Sequence, residues 1–212
     1  MDPGYLGNFV SGRVRDKKGY FSVKHLTRLL MESHSSREDA EDGVFWSNLV
    51  PKKINIFIWR LLNRALPTRL TLSKRGIVFH SLDCIRCEQE VESPDHCFFS
   101  CSSSNILWKK IWAWWDIKSP CISSVSALKR LIQHLGSQHH WGHIFLAVCF
   151  VTLWSIWNWR NSILFAEGED IIKRKLEDHF AKVQTFSKLW ISSRSHKVQV
   201  NWSNWVSSPR KP

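Results

Sequence analysis

The chain has 212 residues, 43% of them hydrophobic, with 30 Lys and Arg against 18 Asp and Glu and a formal net charge of +12. That hydrophobic share excludes wholesale disorder, and the length allows one sizeable domain or two small ones. The charge narrows the partners to anionic ones, a nucleic acid or an anionic membrane surface, without bearing on fold.

The cations gather in two acid-free stretches. Lys52, Lys53, Arg60, Arg64, Arg69, Lys74 and Arg75 lie between Gly43 and Leu82, and Lys182, Lys188, Arg194, Lys197, Arg210 and Lys211 follow Asp178. The first ten residues lack a basic segment followed by an apolar one, so no secretory signal is read. An intracellular chain, nuclear or cytoplasmic, is expected, in a reducing compartment that disfavours disulfides.

In chain order, "GRVRDKKGYFSV" reads as a hairpin around Lys17–Lys18–Gly19 within an N-terminal arm, 1–20. Ser22 can cap a helix from Val23 to about Glu32, and the polar, glycine-terminated 33–43 reads as a linker. Pro51 opens the next helix, where Ile54, Phe57, Ile58, Leu61, Leu62 and Ala65 share one face. Lys53, Arg60 and Arg64 form a stripe beside that face, while Ile56 and Trp59 point away. A second helix, capped by Thr68 and stopped at Gly76, completes an αα-hairpin.

Further on, residues 102–115 read as a serine-capped helix with Ile106, Trp108, Ile111, Trp112 and Trp115 inward, and 124–136 as another capped helix ending at Gly136. Two long helices follow, about 140–166 and 169–191. The apolar run Ile144–Trp157 falls short of the ~20 residues that span a bilayer and reads as a core helix. Ile172, Leu176, His179, Val183, Phe186 and Trp190 alternate spacings of four and three, the mark of a heptad seam. The basic, aromatic tail, 192–212, alternates like a strand over 197–202. The predicted fold is mainly α, with no internal repeat: a small helical domain, stabilised by the site described next, followed by long packed helices.

The chemistry concentrates in "CIRCEQEVESPDHCFFSC", residues 84–101, which holds four of the six cysteines. Cys84-x2-Cys87 lets two thiolates grip one ion from a tight turn. His96 and Cys101 can return from a short helix capped by Ser93 and begun by Pro94. Three sulfurs and an imidazole would complete a tetrahedral, structural zinc shell with no place for water. A disulfide pair and chance clustering of buried thiols are the competing readings, and Cys97 stands beside the site as another possible sulfur. Cys121 and Cys149 read as core residues, and His134, His139, His140 and His143 as a surface loop.

"FSVK" (21–24), Trp46, "PKKINIFIWR" (51–60), "LPTRLTLSKRGI" (66–77), the C-x2-C pair, "DHCFFSC" and Trp108 occur in this order. Together they resemble the reverse transcriptase zinc-binding domain of plant non-LTR (LINE-like) retrotransposons and of stand-alone genes derived from them. "LWSIWNWRNSILF" (153–165) resembles a W-x-x-RN segment that often follows. The resemblance implies Cys84, Cys87, His96 and Cys101 as ligands of one structural zinc. It departs at Cys97, where the family usually has a hydrophobic residue. It also implies a reverse transcriptase as parent, yet this sequence carries no Y-x-D-D or adjacent aspartate pair and no nucleophile–His–Asp set.

The sequence therefore reads as a zinc-binding-like domain over 21–116, a helical region over 117–191 and a basic tail. The expectation is a non-enzymatic, zinc-stabilised nucleic-acid-binding part of a retrotransposon-derived polyprotein. Lys52, Lys53, Arg60, Arg64, Arg69, Lys74 and Arg75 would meet the phosphates of RNA or single-stranded DNA, with Trp59 available to stack on a base. The alternative is an interaction or structural remnant whose C-terminal helices pair with a partner, such as a reverse transcriptase polypeptide. A membrane role is not expected, because the apolar and basic segments lie apart.

Overall fold

The computed structural model describes residues 46–118, 122–136, 140–195 and 201–209. The expected hairpin around 17–19, the helix 23–32, the linker 33–43, Cys121 and His139 lie outside these residues, as does most of the alternating stretch 197–202. The described residues are mainly helical and hold no strand, only an isolated antiparallel bridge between Asp83 and Val91.

Helix α1, Lys52–Leu62, follows Pro51, which sits at the cap position rather than inside the first turn. Its apolar spacing does what a 3.6-residue period requires, burying Ile54, Phe57, Ile58 and Leu61. Asn55 is also buried. Its Oδ1 accepts from the Ser47 N–H at 3.0 Å and its Nδ2 donates to the Ser47 carbonyl at 2.9 Å, so the chain entering α1 is pinned. Helix α2, Arg69–Ser73, is capped by Thr68, whose hydroxyl accepts from the Thr71 N–H. Gly76 takes the left-handed φ of +89° after it.

Helix α3, Ser102–Trp114, begins directly after Cys101 and has no side-chain cap, in contrast to the expected serine caps. Leu107, Trp108, Ile111, Trp112 and Trp114 turn inward and Trp115 is buried just beyond the helix, but Ile106 faces solvent. Helix α4, Val125–Gly136, is capped by the Ser124 hydroxyl, which accepts from Ala127 N–H at 3.1 Å.

Helix α5, His140–Leu164, contains the apolar run and is buried without a break from Ile144 to Leu153. A helix apolar on all sides belongs inside a fold. Its 25 residues are enough to cross a bilayer by length and composition, but 72% of its most apolar window is buried by the neighbouring helices. It packs against α1 and α4 and against α6 (Asp170–Lys175) and α7 (His179–Arg194).

The second expected long helix is thus two. Asp178 leaves the helical region and its carboxylate accepts from the Phe180 N–H at 2.9 Å, starting α7 afresh. The heptad seam fails with it: Ile172 and Leu176 are exposed, and the buried face of α7 is His179, Val183, Gln184, Ser187 and Ile191. In the tail, Trp202–Ser207 forms a short helix, α8, starting at the end of the stretch 197–202 that was read as alternating. Trp205 fixes it, donating from Nε1 to the Gln184 carbonyl at 2.9 Å and accepting on its own carbonyl from Trp114 Nε1 at 2.7 Å. The main apolar core runs from Val50 on the approach to α1 to Trp205 in α8, and Ile171 of α6 packs on a smaller cluster of Ile85, Trp159 and Ile163.

Candidate metal centre

The first half of the site is a short ribbon. Cys84 N–H donates to the Glu90 carbonyl at 2.7 Å and Glu92 N–H to that of Leu82 at 2.8 Å, so 82–84 and 90–92 run side by side. Between them Glu88 adopts a left-handed φ of +57° and donates its N–H to the Cys84 carbonyl. This tight turn brings Cys84 and Cys87 to one end of the ribbon.

The second half is a π-helical turn, His96–Ser100, closed by Cys101 N–H on the His96 carbonyl at 2.9 Å. In an α-helix, residues five apart are rotated by about 140° from eclipse. The wider turn reduces that offset and brings His96 and Cys101 to the same side, which the expected ordinary helix would not. Ser93 caps it as expected, its hydroxyl accepting from His96 N–H at 3.0 Å.

The ligand atoms of Cys84, Cys87, His96 and Cys101 all lie within 4.8 Å of one another. Cys84 Sγ is 3.8 Å from Cys101 Sγ, and Cys87 Sγ is 3.3 Å from His96 Nε2. Zinc–sulfur bonds of about 2.3 Å and zinc–nitrogen bonds of about 2.0–2.1 Å at tetrahedral angles require edges of about 3.8 and 3.5 Å. The residues present fit the metal. Cys84, Cys101 and His96 are buried and Cys87 is half-buried, and a four-ligand shell keeps no position for a substrate. His96 Nδ1 lies 2.9 Å from Glu90 Oε2, which fixes the tautomer by drawing the proton to Nδ1 and leaving the Nε2 lone pair to the metal.

The Cys84 and Cys101 thiols are hydrogen-bonded across 3.8 Å and shift in opposite directions. The hydrogen bond from Cys84 lowers the Cys101 thiol to about 7, aided by the Arg86 charge and the N–H groups of Ser103 and Ser104 at the start of α3. The same hydrogen bond, with burial, raises Cys84 to about 12. Cys97 belongs elsewhere. Burial raises its thiol to about 12, its sulfur lies 3.7 Å from Arg86 Nη2, and it stands outside the four-ligand group. The disulfide reading also lapses, since Cys84, Cys87, Cys97 and Cys101 are all free thiols.

Two charged residues that the sequence did not single out hold this centre in the fold. Glu92, fully buried, accepts Arg69 N–H on Oε1 at 3.0 Å and pairs with Arg160 of α5. Arg86, between the first two cysteines, donates to Ser104 Oγ at 2.7 Å and to the Cys97 carbonyl. Arg160 comes from the W-x-x-RN segment.

The seven cations of the first acid-free stretch lie on and around α1 and α2, all of them exposed except half-buried Arg69. Three are engaged. Lys53 Nζ sits 5.7 and 5.8 Å from the ring centres of Trp154 and Trp190, Arg64 pairs with Asp95 at 3.3 Å, and Arg69 donates to the Asp83 carbonyl at 2.8 Å. Arg64 is also beyond the end of α1, at φ +52°, so the expected three-residue stripe is broken there. Lys52, Arg60, Lys74 and Arg75 form no ion pair among the described residues. A groove of about 740 Å³, with Phe57, Leu66, Trp154 and Trp157 in its lining, is bordered by Lys53, Arg60 and Arg69.

Residues 21–108, which contain all four ligands, match the family described as zinc-binding in reverse transcriptase. This segment is similar to reverse transcriptase zinc-binding domains. The family read from the ordered motifs is the one that matches, and the matched segment holds α1, α2, the ribbon, the π-turn and the first half of α3. A protein of Arabidopsis thaliana named as a ribonuclease H protein is 24% identical over 157 residues, 71% of this chain and 24% of that protein. The chain thus spans about a quarter of that relative's length. No solved structure matches.

Proposed function

We propose that the chain is the nucleic-acid-binding, non-catalytic part of a retrotransposon-derived reverse transcriptase polyprotein, with zinc holding a basic helical hairpin against phosphates. The observation that carries this reading is the acid-free group of Lys52, Arg60, Lys74 and Arg75, exposed and without an ion pair among the described residues. Solvated cations without carboxylate neighbours are available to replace phosphate counterions, which is where sequence-independent affinity originates. The coupling to zinc is physical: Glu92, one residue beyond the ribbon's bridge, accepts the first N–H of α2. Exposed Trp59 offers a ring for an unpaired base, which favours RNA or single-stranded DNA as target.

The test is binding of the zinc-loaded chain to single-stranded RNA, single-stranded DNA and duplex DNA across a salt series. The reading expects affinity to fall linearly with log salt and single strands to be preferred. Binding no tighter than that of a neutral protein at low salt would reject it.

A second reading, an interaction remnant, is favoured by exposed Ile172 and Leu176 around α6 and by Phe186 and Leu189 on α7. Its partner would be a polypeptide such as the polymerase, and light scattering of the chain mixed with that polypeptide distinguishes it.

A further inference from the structure

Arg86, Glu92 and Arg160 are buried to 6, 0 and 3% exposure. Burying an ion costs several kcal/mol unless an opposite charge compensates it. Arg160 is compensated: its Nη2 and Nε grip the two oxygens of Glu92 at 2.7 and 3.2 Å. Glu92 is the one buried carboxylate among the described residues, and Arg160 and the Arg69 N–H occupy it. The acceptors around Arg86 are neutral, Ser104 Oγ, the Cys97 carbonyl and, at 3.7 Å, the Cys97 thiol, and the face of Trp159 lies at 5.4 Å. Its Nε has no partner. A guanidinium placed this way is short of one negative charge.

A zinc ion held by the four ligands would supply that charge. A zinc ion with three thiolates and a neutral imidazole carries one net negative charge, and Arg86 stands in the sequence between two of those thiolates. We infer that Arg86 is the buried counter-charge of the zinc–thiolate centre, a positioning residue that makes the metal-loaded state electrically neutral inside the fold and the metal-free state costly. This rests on the zinc reading of Cys84, Cys87, His96 and Cys101. Ser104 Oγ also donates to the Cys97 carbonyl at 2.7 Å, so both remain partnered when Arg86 is removed.

The experiment measures zinc affinity of the full chain by chelator competition, with cobalt(II) absorption to report ligand geometry, for the native chain, Arg86→Met and Arg86→Lys. Zinc affinity of Arg86→Met should fall by about 10- to 100-fold, the range seen when an outer partner of a metal site is lost. The cobalt spectrum should keep its tetrahedral thiolate bands, and Arg86→Lys should restore most of the affinity. Thermal midpoints should move in opposite directions, the zinc-loaded Met variant melting below the native protein and the metal-free Met variant at or above it. A packing role would lower both. Equal zinc affinity in Arg86→Met, or an Arg86→Lys variant as weak as the Met variant, overturns the inference. If Arg86→Met does not fold, the Lys comparison alone decides. A native chain that binds no zinc would instead refute the metal reading itself.

Discussion

Glu92 and Arg160, 68 residues apart in sequence, meet as a two-pronged, buried ion pair, with Nη2–Oε1 at 2.7 Å and Nε–Oε2 at 3.2 Å. The carboxylate comes from the zinc ribbon and the guanidinium from the central helix α5, so the pair ties the metal-binding segment to the helices that follow it. The Arg160 guanidinium also lies 5.1 Å from the Trp157 ring centre, which shields it from water on that side.

Removing one partner leaves the other charged and buried. Glu92→Gln or Arg160→Met should therefore cost about 3–5 kcal/mol of stability. Replacing both by apolar residues should cost less than the two single changes summed. Denaturant unfolding of the zinc-loaded proteins measures this, and additive losses would mean that the pair is not a coupled unit.

Much of the fold was readable because its signals are local. The face of α1, the Thr68 cap, the capped helix at 124–136 and the C-x2-C spacing each follow from residues within a turn or two of one another. The failures are of another kind. The seam through Ile172 and Leu176 had the right spacing, but spacing records only which residues are apolar. It cannot show that one helix stops at Lys175 and that Asp178 caps the next. Glu92 and Arg86 were passed over, and Arg160 was read only as part of the W-x-x-RN segment, because a charged residue is usually solvated. Their burial depends on partners on different elements, which no local pattern reveals. Ile106 fitted the helical period of α3 but falls on its outer side, and the π-turn that aligns His96 with Cys101 has no composition signature.

At the metal centre, Cys84→Ser or His96→Ala should lose zinc, and with it the ribbon and the approach to α2. Zinc at such sites contributes on the order of 10 kcal/mol to folding. Glu90→Gln should be milder, about 10- to 100-fold weaker in zinc affinity, because it only orients His96 through Nδ1. Elemental analysis of the freshly purified chain should find one zinc, and a folded protein without it would contradict the assignment.

Cys97 and Cys101 should behave oppositely. Cys101→Ser removes a ligand and should abolish tight zinc binding. Cys97→Ser should leave affinity unchanged and instead cost about 1–3 kcal/mol, since a hydroxyl replaces a thiol in a fully buried position. Competition titration and thermal unfolding of the two variants separate these effects. Zinc loss in the Cys97 variant would reassign the fourth sulfur.

His179 stacks on Trp159 at 4.6 Å, and burial, helped by the Lys182 charge, lowers its pKa from 6.5 to about 4. The unfolded chain then binds the proton more readily than the native one, so stability rises with pH between those values. The contribution is fully present above about 6.5 and is lost as pH falls toward about 4, amounting to roughly 3 kcal/mol. His179→Phe should flatten that acid limb at fixed, saturating zinc. An unchanged pH profile in a stably folded variant would show that another group sets the acid sensitivity.

The basic hairpin makes the sharpest demand on the functional proposal. Arg60 is exposed on α1, and Lys74 follows α2 with no ion pair among the described residues, whereas Arg64 is held by Asp95 and Lys53 by two tryptophans. Arg60→Gln with Lys74→Gln should therefore weaken binding to every sequence alike, because phosphate contacts position without reading bases. Each lost contact lowers the salt slope by about 0.7 on single strands or 0.9 on duplex, so the pair should flatten it by about 1.4 to 1.8. Lys109→Gln with Arg130→Gln removes the same two charges from exposed sites outside the acid-free stretch and should change the slope less. A general effect of net charge would shift both double variants equally. Folding is monitored by zinc content, which neither variant should alter. An unchanged slope in the Arg60 and Lys74 variant with zinc retained would falsify the phosphate-contacting hairpin and leave the exposed apolar residues of α6 and α7 as the functional surface.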